Sequence, residues 1–225
     1  MQAGSLFSPS EYTAALLLHV RLQASRVPPV SALELGTGSG VVLALMLALG
    51  AQSALGVDIE AAAVEATQKL LQQEGLAGRA RVVCGDMWAA CGNQRFDLIA
   101  TNLPQFAAAH IEGDGRLPSW SVGGPDGRRV VDKFLLGLPQ HLSAGGVALM
   151  THNTFIDVAK TQALLSPLGL QARVIYTASA LLSEQKMASL NPAVLARFTG
   201  CGIHPLGEHW FADFNIVEIR WMAAA

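Results

Sequence analysis

Two hydrophobic patterns alternate along the chain: short apolar runs, and longer stretches in which apolar residues recur with helical spacing. The short runs predict strands at 31–35, 53–58, 81–84, 96–101 and 146–151, and a closing strand pair at 172–177 and 215–221. Helical spacing predicts helices at 8–24, 41–49, 60–74 and, capped by Asp126, up to about Leu142. This alternation predicts an α/β protein with a Rossmann-like, doubly wound sheet of seven strands, mostly parallel, with an antiparallel closing strand.

The chain length of 225 residues predicts a single domain over residues 1–225. One segment interrupts the regular pattern, at 179–210 between the last two strands. It mixes apolar and polar residues with two prolines and three glycines. Connections of this length are usually functional, and we expect this one to close over a ligand pocket.

Composition narrows the class of protein. Hydrophobic residues make up 51% of the chain and charged residues 14%, as in a well-packed soluble domain. The longest apolar run, at 41–49, is too short to cross a bilayer. The three cysteines have no metal-ligand spacing and indicate reduced thiols, so we expect a cytoplasmic protein without a metal site or a membrane contact. The net charge of −2 favours a small acceptor over a nucleic-acid partner.

A glycine-rich turn, Gly-Thr-Gly-Ser-Gly at 36–40, follows the first strand and opens a helix. Glycines there allow a tight turn and let backbone amides approach a ligand closely. The spacing differs from the dinucleotide-binding pattern, because position 41 is valine. Taken alone, the turn is also compatible with a plain connection between a strand and a helix.

Two further features lie at the ends of the next two strands. Asp58 ends the second strand, where a carboxylate is able to accept hydrogen bonds from both hydroxyls of a ribose. Gly-Asp-Met-Trp at 85–88 ends the third strand. Asp86 is predicted to take the exocyclic amine of adenine, with Met87 or Trp88 beside the ring. Three such features at successive strand ends predict an adenosyl-binding site.

Four stretches resemble the class I S-adenosylmethionine-dependent methyltransferases, and most closely the group of release-factor glutamine N-methyltransferases and their small-domain relatives. They are Phe-Ser-Pro-Ser-Glu-Tyr-Thr at 7–13, Glu-Leu-Gly-Thr-Gly-Ser-Gly at 34–40, Gly-Val-Asp-Ile at 56–59 and Gly-Gly-Pro-Asp-Gly at 123–127. The resemblance covers about residues 7–150 and implies S-adenosyl-L-methionine as cofactor. It implies that Phe7 and Thr13 line the cofactor, Glu34 and Gly36 hold its methionine end, and Asp58 holds its ribose. The predicted cofactor-binding residues are Phe7, Thr13, Glu34, Gly36, Thr37, Gly38, Gly40, Asp58, Ile59, Asp86, Met87 and Asn102.

The fourth strand ends in Asn-Leu-Pro-Gln-Phe at 102–106, where the family has Asn-Pro-Pro-Tyr. In that motif, the asparagine oxygen and a backbone carbonyl orient a planar NH2 group, and the aromatic ring stacks on the substrate. Asn102 and Pro104 are therefore the predicted catalytic residues. Gln105 replaces the aromatic residue, so we predict Phe106 as a displaced lid over the substrate. Trp120, ahead of the second glycine-rich stretch, is also predicted to bind substrate.

The family's glutamine methyltransferases carry an extra N-terminal helical domain, whereas about 30 residues precede the glycine turn here. We therefore predict an enzyme that transfers a methyl group to nitrogen of a small or mid-sized acceptor, a small molecule or a peptide. Two alternatives stay open. One is a nucleic-acid or protein (glutamine) N-methyltransferase that works with a partner. The other is a cofactor binder that has lost methyl transfer.

Overall fold

The computed structural model describes residues 8–108 and 121–223. The helices are α1 (Glu11–Arg26), α2 (Val41–Ala48), α3 (Ala61–Gln73), α4 (Arg129–His141), α5 (Val158–Leu165), α6 (Glu184–Ser189) and α7 (Pro192–Phe198). The strands are β1 (Ser31–Leu35), β2 (Ser53–Asp58), β3 (Ala80–Cys84), β4 (Phe96–Thr101), β5 (Leu142–Asn153), β6 (Leu170–Leu182), β7 (Ile203–Leu206) and β8 (His209–Trp221).

All eight of these strands belong to one sheet, in the order β3-β2-β1-β4-β5-β8-β6, with β7 paired to β8. Strands β1 to β5 are parallel, and β8 runs antiparallel to β5, β6 and β7. The predicted fold class is confirmed, with one strand more than the seven predicted. The extra strand, β7, has four residues and contains Pro205. Proline cannot donate to a ladder, so this segment carries no strand pattern in sequence.

Apolar side chains cover both faces of the sheet, which explains why the central strands are rich in apolar residues. On one face, α1, α2 and α3 contribute Leu16, Met46 and Leu71 to a continuous cluster. On the other face, Phe134 of α4 and Leu165 of α5 belong to a second cluster. In the central strands β4 and β5, successive apolar residues alternate between the two clusters. This packing fixes the strands, and with them the positions at which their carboxyl ends meet.

Two predicted boundaries need correction. Helix α4 begins at Arg129 and not at Asp126, because Gly127 has φ +75° and cannot continue a right-handed helix. Asp126 instead accepts a hydrogen bond from the backbone N–H of Arg128, at 3.1 Å, in the turn before the helix. The segment 179–210 is largely regular structure: β6 and β8 extend into it, and α6, α7 and β7 lie between them.

Candidate active site

A cavity of about 470 Å³ opens at the carboxyl ends of β1, β2 and β4, where ligands bind in open α/β sheets. It brings together most of the predicted site, lined by Thr13, Glu34, Gly36, Thr37, Gly38, Asp58, Ile59, Asp86, Met87, Asn102 and Pro104. Phe7 and Trp120 lie outside the described residues. The shared cavity places these side chains together, and their roles toward a ligand remain predictions.

The glycine turn is shaped by three residues in the left-handed region. Gly36, Gly38 and Gly40 have φ of +75°, +49° and +78°, which side-chain-bearing residues rarely adopt. Gly40 stands behind the cavity wall, and a Cβ there would lie 2.8 Å from Thr67 of α3. Only glycine therefore allows the turn to pack against α3. The turn presents Gly36 and Gly38 to the cavity and uses Gly40 as a support.

Asp58 is held by the glycine turn and by its own following residues. Its Oδ2 accepts the backbone N–H of Gly38 at 2.9 Å, and its Oδ1 accepts that of Glu60 at 2.9 Å. Burial raises the pKa of the Asp58 carboxyl, and these two N–H donors oppose that rise. Each oxygen keeps a further acceptor site. The carboxylate is thus fixed at the cavity with acceptor capacity to spare, as a ribose site requires.

Glu34 is a buried carboxyl at the floor of the cavity, with only 3% of its surface exposed. Its Oε2 accepts the backbone N–H of Leu43 at 2.8 Å. Burial, and secondarily the neighbouring Asp58, raise the pKa of Glu34 well above its usual range. Among the described residues, the ion pairs include none with Glu34. A positively charged ligand group would offset the burial of this carboxylate, and an ammonium or a sulfonium fits that need.

At the third strand end, Asp86 and Met87 face the cavity. Asp86 forms an ion pair with Lys133 of α4 at 2.5 Å, with both side chains about half exposed. Trp88 faces α4 instead, stacks on His141 with ring centroids 4.6 Å apart, and donates to the backbone carbonyl of Lys133 at 3.1 Å. Of the two candidates for the adenine ring, the structure therefore brings Met87 to the cavity.

Asn102 lies at the opposite end of the lining, beside Leu103 and Pro104. Its Oδ1 accepts the hydroxyl of Thr151 at 2.6 Å. Gln105 turns away from the cavity and is buried. Its Nε2 donates to the carbonyl of Thr151 at 2.8 Å, and its Oε1 accepts the backbone N–H of Asn153 at 2.7 Å. Its carboxamide therefore pairs with one backbone carbonyl and one backbone N–H of β5, as the backbone of a neighbouring strand does.

Phe106 is a core residue in this structure and not the displaced lid that the sequence suggests. It is buried and packs edge-on against Phe155, with ring centroids 6.1 Å apart. Its backbone pairs with Ser121 at 2.7 Å and with Gly123 at 2.9 Å. This pairing directs the ring into the apolar cluster on the α4 face. The ring does not line the cavity.

The second glycine-rich stretch, 123–127, packs directly against Gln105. A Cβ at Gly127 would lie 2.3 Å from the carbonyl oxygen of Gln105, and one at Gly123 would lie 2.4 Å from that of Gly127. Both distances are impossible for real atoms, so glycine is required at both positions. The turn therefore positions the segment 102–106, and its own residues do not line the cavity.

Sequence reasoning missed the polar residues at the end of β5. Thr151 and Asn153 hold Asn102 and Gln105, and Asn153 Oδ1 in turn accepts the hydroxyl of Tyr12 at 3.0 Å. The signal was present, because Thr-His-Asn at 151–153 follows an apolar run. The inserted segment also reaches this region: Asn191 binds the backbone carbonyls of Ala107 and Pro125, each at 2.8 Å.

A buried polar network also supports the carboxyl end of β5. His152 contacts the backbone carbonyl of Asn153 through Nδ1 at 3.0 Å and the hydroxyl of Thr161 through Nε2 at 2.8 Å. Arg128 donates to the same hydroxyl at 3.1 Å. Burial, with the positive charge of Arg128 as a second cause, lowers the pKa of His152 to about 4. The imidazole is therefore neutral at pH 7, and its Nδ1–H donates to the carbonyl oxygen of Asn153.

Comparison with known proteins shows that the chain is similar to methyltransferases. A family model described as a methyltransferase domain matches residues 32–112. A Methanocaldococcus jannaschii protein, provisionally named as a protein N5-glutamine methyltransferase, is 29% identical over 145 residues, covering 63% of this chain and 71% of that protein. A release factor glutamine methyltransferase of Xylella fastidiosa is 34% identical over 147 residues, covering 62% of this chain. The chain spans about half of that enzyme's length, at 52%.

The fold is shared with solved structures across nearly the whole chain. One is an S-adenosylmethionine-dependent methyltransferase from Thiobacillus denitrificans, solved with S-adenosyl-L-homocysteine. It has a TM-score of 0.56 and 18% identity, and the match covers 98% of this chain and 95% of that one. In residues 8–108 and 121–223 there is no helix with the length and apolar character that spanning a membrane requires. The same residues contain no cluster of three or more histidine, cysteine or acidic side chains placed to hold a metal ion.

Proposed function

We propose that this chain, a class I S-adenosylmethionine-dependent methyltransferase, methylates the side-chain amide nitrogen of a glutamine in a peptide or protein. The matched domain, the named relatives and the shared fold confirm the predicted family and its cofactor. For the acceptor, we take up the protein-glutamine alternative in preference to the small or mid-sized acceptor predicted first from the sequence. The position of the Asn102 carboxamide in the cavity carries this proposal.

The cavity has groups suited to each part of the cofactor. The buried Glu34 carboxylate suits the positively charged methionine end, and the backbone of Gly36 and Gly38 allows close approach. The fixed carboxylate of Asp58 suits the ribose hydroxyls, and Met87 suits the adenine ring. A bound cofactor would supply a methyl group on a positively charged sulfur. The acceptor nitrogen would form a bond to the methyl carbon as the carbon–sulfur bond breaks, so that S-adenosyl-L-homocysteine leaves and the nitrogen loses one proton to water.

Asn102 is suited to orient a primary amide. Its Oδ1 already accepts one hydrogen bond, from Thr151, and has a second lone pair for an N–H of the acceptor. A hydrogen bond there fixes the plane of the acceptor NH2 group and aims its nitrogen at the methyl carbon. Because the methyl group is already activated, this positioning is able to supply most of the catalysis. The apolar Leu103 and Val122 beside it suit the alkyl stem of a glutamine.

One observation favours a polypeptide over a nucleobase. Both sequence relatives described above are named for glutamine in proteins.

The test is incubation with methyl-labelled S-adenosyl-L-methionine and three separate acceptor pools: protein, RNA and small molecules from one cell extract. We expect label in the protein pool, and peptide mass spectrometry should place the methyl group on a glutamine side chain. A synthetic peptide containing that glutamine should be methylated, whereas the same peptide with asparagine in its place should not.

Asn102→Ala is the matched enzyme variant. It should keep cofactor affinity, measured by calorimetry, and lose most of the turnover. Label confined to RNA or to small molecules would refute the glutamine proposal. Tight cofactor binding with no labelled product in any pool would support the alternative in which methyl transfer has been lost.

A further inference from the structure

We propose that Gln105 and Thr151 form a hydrogen-bond relay that fixes the orientation of the Asn102 carboxamide, so that both act as positioning residues for methyl transfer. The inference rests on the proposed function of Asn102. It assigns a role to the position at which this chain departs from its family, where glutamine stands in place of an aromatic residue.

The relay begins at the backbone of β5, which dictates which way the Gln105 amide faces. The backbone N–H of Asn153 is able only to donate, so it requires the Oε1 of Gln105, at 2.7 Å. The carbonyl of Thr151 is able only to accept, so it requires Nε2, at 2.8 Å. Gln105 is 4% exposed, so water cannot replace either partner. A flipped amide would oppose donor to donor and acceptor to acceptor.

The second proton of Gln105 Nε2 continues the relay. It donates to the hydroxyl oxygen of Thr151 at 3.0 Å. A threonine hydroxyl has a single proton, which is directed to Oδ1 of Asn102 at 2.6 Å. Thr151 is fully buried, so this proton has no solvent alternative. The direction of donation therefore runs from Gln105 through Thr151 to Asn102.

The end of the relay determines what Asn102 presents to the cavity. Its oxygen, and not its nitrogen, must face Thr151, and the plane of its carboxamide is fixed by that bond. One Oδ1 lone pair is occupied, which leaves one for an acceptor N–H. Without the relay, the carboxamide is free to rotate and to offer its NH2 group, which would meet the acceptor amide donor to donor.

The scaffold around the relay keeps it in place. The turn at 123–127 packs against the backbone of Gln105, where glycine is required at both ends of the contact. Tyr12 binds the side chain of Asn153 at 3.0 Å and stacks on Phe214 with ring centroids 4.1 Å apart. The position that holds a stacking ring in the family is therefore committed here to orienting Asn102.

The test compares Thr151→Val, which keeps the shape but removes the hydroxyl, with Thr151→Ser, which keeps the hydroxyl. Steady-state kinetics on the acceptor and calorimetry with S-adenosyl-L-methionine give kcat, KM and the cofactor Kd. We expect Thr151→Val to lower kcat by about tenfold or more, as misplacement of a positioning group does, with cofactor Kd within about twofold of wild type. Thr151→Ser should return kcat to within about threefold of wild type.

A second readout does not depend on the acceptor. In ¹⁵N-edited NMR spectra, the side-chain amide of Asn102 should give ordered, slowly exchanging signals in wild type and in Thr151→Ser, and mobile signals in Thr151→Val. Should the valine variant not fold, Thr151→Cys retains the size with a weaker donor and should have a lower kcat than Thr151→Ser.

The outcomes separate this inference from the proposed function. Unchanged kcat and an ordered Asn102 amide in Thr151→Val would overturn the relay while leaving the Asn102 proposal intact. Equal losses in the serine and valine variants would also overturn it, because a purely structural role predicts no rescue. Failure of wild type to methylate any glutamine would refute the proposed function, and the NMR comparison would still decide the relay.

Discussion

The cavity has two halves that are built in different ways. The cofactor half comprises Glu34, the glycine turn at 36–38, Asp58, Asp86 and Met87, and its key hydrogen bonds join side chains to nearby backbone. Asp58 binds N–H groups 2 and 20 residues away, and Glu34 binds one 9 residues away. The acceptor half comprises Asn102, Leu103, Pro104 and Val122, with Gln105 buried behind them. It is held by side-chain bonds across 46 to 49 residues, from Gln105 and Asn102 to Thr151.

This difference indicates which part of the cavity tolerates a change of residue type. Geometry that rests on consecutive strand-to-helix units and on glycine conformation leaves little choice of residue. Geometry that rests on paired side chains allows one pair to be exchanged for another. Gln105 stands where the resembled family has an aromatic residue, and its bonds to Thr151 are of this second kind. We therefore expect substitutions to affect cofactor affinity in one half and turnover in the other.

The largest effect is expected from Gly127→Ala, which disrupts the support of the acceptor half. The new Cβ would lie 2.3 Å from the carbonyl of Gln105, and the residue has φ +75°. Overpacking combined with backbone strain should destabilise the protein by about 3–5 kcal/mol, measured by urea unfolding. Turnover of the folded fraction should fall, and its cofactor Kd should stay within about threefold of wild type.

Gly75→Ala is the matched control. Gly75 follows α3 with a similar φ of +68°, but a Cβ at this position would have no other atom within 4 Å. It should therefore lose only about 1 kcal/mol from strain. Equal losses in the two variants would show that the turn at 123–127 is not packed against Gln105 as described.

Much of the cofactor half was predictable from the sequence because backbone conformation restricts residue type. A positive φ favours glycine in the turn at 36–40, as it does at Gly127. Glycines after an apolar run predicted the turn, and Asp58 at the next strand end predicted its partner. In the acceptor half, Asn102 and Pro104 were predicted by resemblance, but the orientation of the residues that follow them left no such signature in residue type. Whether Gln105 and Phe106 face the cavity or the core depends on Thr151, Phe155 and the turn at 123–127, all distant in sequence. Likewise, β7 forms only because β8 extends past β5 and offers it an edge.

The second-largest effect is expected on the pH dependence of the free energy of unfolding, through the buried His152 beneath the acceptor half. The folded-state pKa of His152 is about 4, against 6.5 for an unperturbed histidine. The unfolded chain therefore binds a proton below pH 6.5 that the folded protein binds only near pH 4. Stability is fully present above about pH 6.5 and is lost as the pH falls toward 4, by about 3 kcal/mol for a shift of this size.

His152→Gln should remove this component of the pH dependence, measured as the difference between urea unfolding curves at pH 7 and pH 4.5. His209→Gln is the control, because His209 is an exposed side chain at the start of β8. It should leave the difference unchanged. The opposite result, a difference that depends on His209 and not on His152, would contradict the buried network beneath β5.

A third effect tests the cofactor half. Asp58→Ala removes the fixed carboxylate and leaves the backbone N–H groups of Gly38 and Glu60 without their acceptor. Cofactor binding should weaken by about 1–3 kcal/mol, the range for an unpaired buried polar group. Asp97→Ala is the control: Asp97 also binds backbone N–H groups, of Val30 and Ser31, but at the amino end of β1. Calorimetry should find cofactor affinity unchanged in that variant.

The smallest effect is expected from Lys133→Met, and it sharpens the contrast between the two halves. Lys133 pairs with Asp86 at the rim, but both side chains are about half exposed, so stability should change by less than about 0.5 kcal/mol. Because the pair competes with the adenine amine for Asp86, its removal should tighten cofactor binding, by at most about fivefold or 1 kcal/mol. Lys160→Met, on the exposed face of α5, should change neither quantity. A loss of affinity beyond tenfold in Lys133→Met would mean that a side-chain pair, and not the backbone, sets this end of the cofactor half.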